Sequence, residues 1–341
     1  MLGVSSIGGF KVNRDALMAA LFLVAVIAGG LYWSISRPQA KDSLIVSTTT
    51  SLYETGLLDE LKTMFEKTPP EYNVSFISQG TGLAIETARR GDADMILVHS
   101  PSQERGFLES GSGVNRKIFA YNFFIIVGPE ADPAGITGMD PISALMKIRE
   151  EGQTGNALWV SRGDNSGTHS KEKALWAATG LVLDEIKAET AEGSAGTWYI
   201  EAGAGMTATL QLANEKMAYT LTDVATYLKN YKNGNVELVK AVDTGKDTLN
   251  VYSAIVCDPD TSPRGMFEGS MEFMRFLLSD EVQTMLVTYG MEEFGSTLFK
   301  PWLPELENPD SEIVGWVEEY AYIDGDECPA QYRQNAEDLY R

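Results

Sequence analysis

The sequence predicts a two-lobed α/β fold, each lobe a mostly parallel sheet flanked by helices, preceded by one N-terminal transmembrane helix. Three observations predict it. Strand–loop–helix units recur from Leu44 onward, the pattern breaks at a Pro-, Gly- and Asp-rich stretch at 128–140 and then restarts, and an apolar run precedes everything else. With 341 residues, 44% hydrophobic and 22% charged, the chain can bury a sizeable core and is too long for one small domain.

The elements follow in chain order. No charge lies between Asp15 and Arg37, and residues 16–33 are almost wholly apolar, close to the roughly 20 residues that a bilayer span needs. Lys11 and Arg14 precede this run, so the positive-inside bias holds the N-terminus in the cytoplasm and sends the remainder across the membrane. No Cys follows the run to take a lipid, and Pro38-Gln39-Ala40 is a poor cleavage signal. Residues 1–41 are therefore read as an uncleaved anchor in preference to a removed signal peptide, and the protein as extracytoplasmic.

Residues 44–46 read as a buried strand, and Leu57, Leu58, Leu61, Met64 and Phe65 fall at helical spacing after a polar loop. The unit returns as a strand over 74–77, a loop over 78–82 and a helix to about Arg90, then a strand over 94–98. A strand over 123–127 ends at Gly128-Pro129, where a lobe boundary is placed. The alternation restarts with a strand over 157–160, a loop over 161–168 and a helix through Trp176. Strands over 218–221 and 250–256 follow, then one amphipathic helix from Met271 to about Tyr289. These readings give lobe 1 as 42–124 and 253–301, and lobe 2 as 125–252. Residues 302–341 hold eleven acidic and two basic residues, and their Trp302, Trp316, Tyr320, Tyr322 and Tyr332 argue for an acidic extension packed on the surface.

Charge and composition remove whole classes of function. A formal net charge of −21 repels phosphate backbones, so nucleic acid is not an expected partner. Only His99 and His169, and only Cys257 and Cys328, are present, and none falls at metal-ligand spacing, so no metal and no cofactor are expected. Outside the membrane the two cysteines either pair or remain buried thiols.

The polar loops carry the chemistry. In open parallel α/β sheets, loops at the carboxyl ends of strands face the ligand crevice, and the helix that follows offers unpaired N–H groups. Four loops of small hydroxyl and Gly residues occupy such places. Thr49, Thr50 and Ser51 lie in the first and Thr81 and Gly82 in the second. Arg162, Ser166, Gly167 and Thr168 lie in the third, and Thr207 in the fourth. Each alone is explained by helix capping; four together, two in each lobe, point to an anion held between the lobes. Arg162 follows a buried strand and can pair two oxygens of an oxyanion, or form a salt bridge with Asp164. His99, at the end of a buried strand, reads as a satisfied core histidine.

With Ser47-Thr48-Thr49-Thr50-Ser51 and the stretch from Arg162 to His169 as its most specific motifs, the chain from about Leu44 to Pro301 resembles the tungstate-binding proteins of ABC importers, the Tup type. The resemblance rests on Ser47-Thr48-Thr49-Thr50-Ser51 with Thr55-Gly56-Leu57-Leu58-Asp59, on Val98-His99-Ser100-Pro101-Ser102, and on Val127-Gly128-Pro129 with Asp132-Pro133-Ala134-Gly135. It continues in the stretch from Arg162 to His169 with Glu172 and Trp176, in the stretch from Ala218 to Asp223, and in Leu298-Phe299-Lys300-Pro301. The chain departs from the usual pattern at Phe123 and at Val224-Ala225. The resemblance implies a type II periplasmic-binding-protein-like fold that delivers a tetrahedral oxyanion, tungstate or molybdate, to an ABC permease and its ATPase subunit. It also implies that Thr50, Ser51, Thr81, Arg162 and Thr168 contact the oxyanion. A monomer is expected.

Two competing functions use the same residues. A phosphate- or sulfate-binding protein has similar loops; hydrogen phosphate carries a proton and needs a buried acceptor, for which Asp164 is the candidate, whereas tungstate, molybdate and sulfate need donors only. A hydrolase would use Ser166, His169 and Asp164 as a triad, but no GxSxG elbow occurs, and a helix N-terminus lowers imidazole basicity. The reading is therefore of a binding protein and not an enzyme.

Overall fold

The computed structural model describes residue 18 and residues 42–67, 72–192, 198–243, 245–262, 264 and 266–340. The first series comprises β1 (Asp42–Thr49), α1 (Thr50–Glu54), α2 (Leu57–Lys67), β2 (Tyr72–Gln79), α3 (Thr81–Arg89), β3 (Met95–Val98) and α4 (Pro101–Glu109). The apolar positions of α2 point inward as their spacing requires: Leu57, Leu58, Leu61, Met64 and Phe65 are its buried residues. A single long strand, β4 (Gly113–Gly128), then leads out of this series.

The second series comprises α5 (Pro141–Gln153), β5 (Trp159–Ser161), α6 (Gly167–Ala178), α7 (Leu183–Glu192), β6 (Tyr199–Glu201), α8 (Met206–Lys216), β7 (Thr220–Asp223), α9 (Val224–Lys232) and β8 (Val239–Val242). The chain returns along β9 (Leu249–Cys257) to α10 (Phe267–Leu277), α11 (Asp280–Thr288), β10 (Lys300–Pro301) and α12 (Glu312–Ala321). The helix expected over 271–289 is thus two helices. Ser279 ends the first by donating to Phe276 O at 2.7 Å and caps the second by accepting from Val282 N–H at 3.4 Å.

The sheet is mixed, which corrects the expectation of mostly parallel sheets. Its order is β10-β4-β9-β3-β1-β2, with β7 and β8 also pairing β4. β1 and β3 are parallel, as are β5 and β6, but β9 runs antiparallel to both β3 and β4, and β7, β8 and β10 run antiparallel to β4. The cause is connectivity. β4 carries the chain out and β9 carries it back, so the two must pair antiparallel. Residues 113–123 of β4 pair with β9, and Phe124–Val127 pair with β7. Every residue of β9 is buried.

The apolar core divides on either side of this pair. One set of side chains (among them Leu44, Val46, Leu97, Phe119, Tyr252 and Phe273) packs around β1, β3 and the first part of β4. Another (Phe124, Trp159, Trp176, Trp198 and Tyr219) packs around β5 and β7. Gly128 is required where the second set meets β4, because a Cβ there would lie 2.2 Å from the Tyr219 ring.

The C-terminal residues pack on the sheet more deeply than their composition predicts. Trp302, Val317 and Ala321 are fully buried against Ile118, Tyr121, Leu249 and Val251 of β4 and β9. Glu327 reaches into the sheet, where Oε1 accepts from Ile118 N–H at 2.6 Å and Oε2 pairs with Lys117. This occurs where the β4–β9 register shifts, so a carboxylate takes an N–H that the bulge leaves over. Beside it, Arg116 donates to Glu327 O at 2.7 Å and pairs with Glu104 at 2.8 Å. The acidic count was read as surface because an isolated sequence does not show which carboxylates have buried cations waiting.

Cys257 and Cys328 are both buried free thiols, which settles the alternative left open by the sequence. The apolar run at 16–33 lies, apart from Met18, outside the described residues. Among the described residues no helix is long and apolar enough to cross a membrane. Removing the Glu327 carboxylate strands a buried lysine, so Glu327→Ala should cost about 3–5 kcal/mol in chemical unfolding; a loss under about 1 kcal/mol would mean that the segment adds little to the sheet.

Candidate anion-binding site

The candidate site is assembled from helix N-termini. Thr49, the last residue of β1, caps α1: its backbone is extended and its Oγ1 accepts from Leu52 N–H at 3.2 Å. Thr50 and Ser51, expected in a loop, are the first residues of this helix, and Ser51 Oγ lies 3.3 Å from Thr49 Oγ1. Gly80, in extended backbone and with no side chain to cap with, precedes α3, which begins at Thr81.

The third loop turns sharply between β5 and α6. Gly163 and Asn165 both take left-handed backbone, at φ +63° and +56°. A Cβ at Gly163 would lie 2.8 Å from Glu201 Cβ, so glycine is needed there for space as well as conformation. Ser166 caps α6 by accepting from His169 N–H at 3.2 Å. Its own N–H donates to Asp164 Oδ1 at 3.1 Å.

Contacts between the two series bring these loops together. Thr81 Oγ1 accepts from Gly167 N–H at 3.0 Å. Arg162 Nη2 reaches Thr50 Oγ1 at 3.4 Å. A Cβ on Gly82 would lie 2.8 Å from Asn165 Nδ2, and one on Gly167 would lie 2.8 Å from the His99 ring. The fourth loop approaches through Gly205, whose Cβ would stand 3.9 Å from Thr50 Oγ1. Thr49, Thr50, Ser51, Thr81, Gly82, Arg162, Ser166, Gly167 and Thr168 therefore share one region. Thr207 faces elsewhere: its hydroxyl donates to Glu54 Oε2 at 2.8 Å and accepts from Asn230 at 3.2 Å.

Arg162 is the charged member, 2% exposed. Its Nη2 and Nε lie 2.6 and 3.2 Å from Asp164 Oδ2, so the salt bridge weighed from the sequence is formed. Burial raises the Asp223 carboxyl above the usual range; hydrogen bonds from Thr226 and the charge of Arg162 oppose the shift. Among the described residues Thr168 Oγ1 is buried with no partner, a donor that costs free energy until something accepts from it. Beside the region, a cavity of about 520 Å³ is bounded by Gly82, Arg89, Gln103, Asp164 and Asn165.

The triad geometry of a hydrolase is not made. His169 Nδ1 accepts from Asn165 N–H at 3.0 Å and its Nε2 has no partner among the described residues, where the ring serves no hydroxyl as a base. Sequence reading gave His99 only a core role and passed over Asn122 and Asn250. In the fold His99 Nε2 lies 3.2 Å from Ser51 Oγ and Nδ1 lies 2.8 Å from Asn250 Oδ1, while the ring stacks on Tyr252. Its place directly after a buried strand was the available signal; the partners from β4 and β9 are remote in sequence and left none.

The PBP superfamily domain matches residues 36–281. This chain is a TupA-type member of the PBP superfamily. It is 41% identical over 280 residues to a putative ABC transporter anion-binding protein of Haloferax volcanii, covering 80% of this chain and 76% of that one. It is 38% identical over 270 residues to the tungstate-binding protein TupA of Peptoclostridium acidaminophilum, covering 78% and 88%. The solved structure of TupA from Desulfovibrio alaskensis G20 superposes with a TM-score of 0.63 at 37% identity, covering 76% of this chain and 99% of that one.

Burial pushes the His99 imidazole down to about 4; the Asn250 hydrogen bond opposes this and the Arg162 charge adds to it. A ring kept neutral by the fold stabilises fully above its ordinary value of 6.5 and loses that contribution as pH falls toward 4. Between neutral pH and about pH 4.5 the protein should therefore lose roughly 2–3 kcal/mol more stability than His99→Gln does. Parallel losses in urea unfolding would remove His99 from the acid response.

Proposed function

We propose that this protein captures a fully deprotonated tetrahedral oxyanion, tungstate or molybdate, between its two series of elements and presents it to an ABC permease and its ATPase subunit. The observation that carries this reading is the meeting of Thr50, Ser51, Thr81, Gly167 and Thr168 at helix N-termini around one buried guanidinium, Arg162. Such a site supplies N–H and O–H donors, which suits a ligand made only of acceptors. Asp164 already receives Arg162 on Oδ2 and Ser166 N–H on Oδ1, which favours a ligand without a proton over hydrogen phosphate. The names of the relatives, tungstate-binding and anion-binding, support the same ligand class.

Capture takes place without covalent chemistry on the ligand and without a cofactor. The oxyanion exchanges its hydration for protein donors from both series, and the complex with ligand is what the permease recognises. The apolar run at 16–33 holds the protein to the cell membrane on its outer side, since Lys11 and Arg14 precede it and the superfamily match begins at residue 36, just after it. A monomer suffices, because every donor named comes from one chain.

Calorimetric titration of the full-length chain with tungstate, molybdate, sulfate and phosphate tests the reading. Tungstate should bind tightly, molybdate equally or less so, and phosphate far more weakly; binding of phosphate alone would place Asp164 against the ligand as an acceptor. Arg162→Ala should weaken tungstate by about 3 kcal/mol or more, because the buried dianion loses a guanidinium partner. Affinity close to that of the unaltered protein would remove Arg162 from the site.

A further inference from the structure

A line of hydrogen bonds runs from the candidate site into the β4–β9 pair, and its polarity can be read from one end. Leu298 O can only accept, so the amide atom of Asn122 that lies 3.1 Å from it is Nδ2. Asn122 then turns Oδ1 toward Asn250, whose Nδ2 donates to it at 2.8 Å and to Tyr252 OH at 2.9 Å. Asn250 is left with Oδ1 facing His99 Nδ1 at 2.8 Å, which must carry the ring proton. The neutral ring has a bare Nε2, and Ser51 Oγ, 3.2 Å away, must be the donor.

The consequence falls on the ligand. Ser51 has one hydroxyl proton, and this network commits it to His99. Besides the Thr49 hydroxyl 3.3 Å away, Ser51 Oγ then has only lone pairs to offer, which repel an oxyanion composed of acceptors and welcome one that carries a proton.

We infer that His99 is a specificity-determining residue: capture of a fully deprotonated oxyanion draws one proton from solvent onto His99 Nε2, which turns Ser51 from an acceptor into a donor. The imidazolium then donates through Nδ1 to Asn250 and through Nε2 to Ser51 Oγ, and the Ser51 proton swings to a ligand oxygen. No covalent bond other than the new N–H forms, and the added positive charge offsets one of the two ligand charges. A ligand that brings its own proton needs no such uptake, since Ser51 accepts it directly. The inference rests on the oxyanion reading above.

The groups around the ring set the balance. Arg162 faces it with a positive charge and opposes the second proton until a dianion is present. Tyr252 of β9 and Phe124 of β4 stack on the ring, and Gly167 of α6 lies against its edge. Tyr252 stays protonated, held high by burial and by the charge of Asp223, and so supplies no charge. Asp223 and Asp164 act on Arg162 and moderate its repulsion.

The test is calorimetry of the full-length chain with sodium tungstate near about pH 6.5, in two phosphate-free buffers of low and high ionisation enthalpy. The heats should differ by an amount corresponding to uptake of up to about one proton per tungstate bound. Affinity measured by competition should fall by up to about tenfold per unit rise in pH. His99→Gln, whose amide can donate to Ser51 without titrating, should bind with nearly equal heats in both buffers. Ser51→Ala, which removes the hydroxyl that the proton serves, should likewise lose most of the uptake and covers the case in which the His99 variant does not fold. Tight tungstate binding with equal heats in the two buffers, or uptake that persists in both variants, would overturn the inference while leaving the oxyanion reading intact. Absence of heat with every oxyanion would defeat both.

Discussion

The antiparallel pairing of β4 with β9 is the constraint on which the remainder of the structure depends. Both strands are buried nearly throughout, both pass between the two series of elements, and their ladder fixes where each series begins. β3 pairs with β9 and β1 with β3 on one side, while β7 pairs with the far end of β4 on the other. Four helix starts are thereby aimed at one region without any loop needing to be long. The same pair carries the polar line from Leu298 through Asn122 and Asn250 to His99, so the scaffold and the chemistry of the site share their residues. Polar side chains so deep in a sheet are costly unless each is matched, and here each atom of the line has its partner.

Glycine makes the convergence close. Gly82, Gly167 and Gly163 each stand where a Cβ would come within 2.8 Å of a neighbour. At Gly82 and Gly167 that neighbour belongs to the other series, Asn165 and His99 respectively, so the absence of a side chain lets one backbone approach the other. Capping explains why such residues begin helices; it does not explain why two of them are pressed against the opposite side. That additional requirement is what distinguishes a shared site from four independent helix starts.

Local periodicity made much of this legible. The inward face of α2, the buried strands β3 and β5 and the turn from Arg162 to Thr168 all follow from spacing and residue type, and the four polar loops were visible as a group. The strand directions were not, because alternation of strand and helix says nothing of a chain that crosses out on β4 and returns on β9. The C-terminal segment misled for a related reason: Glu327 counts as one more surface acid until Lys117 and the spare N–H of Ile118 are placed beside it. Thr207 looked like its counterparts in the other loops, and only the fold shows Glu54 and Asn230 engaging its hydroxyl. Each of these misses concerns a partner distant in sequence, which a window of neighbours cannot contain; the break of the 271–289 helix at Ser279 is the local exception.

The distribution of charge reconciles an anion site with a chain of net charge −21. At long range such a protein repels a dianion, and salt screens that repulsion within about 10 Å. Inside, the balance differs. Within the candidate site Arg162 is the buried cation, already shared with Asp164 and influenced by Asp223, so it pairs with part of the ligand and leaves the rest of the attraction to other groups. Attraction must come from dipoles fixed in place: the first N–H groups of α1, α3 and α6, and hydroxyls held by their own caps. Dipoles of this kind act only over a few ångströms, and the backbone N–H groups among them need no reorganisation when the ligand arrives. A site built on them rewards an anion that fits among the donors and gives nothing to one that merely carries charge nearby, which is how a strongly acidic protein can hold an anion selectively.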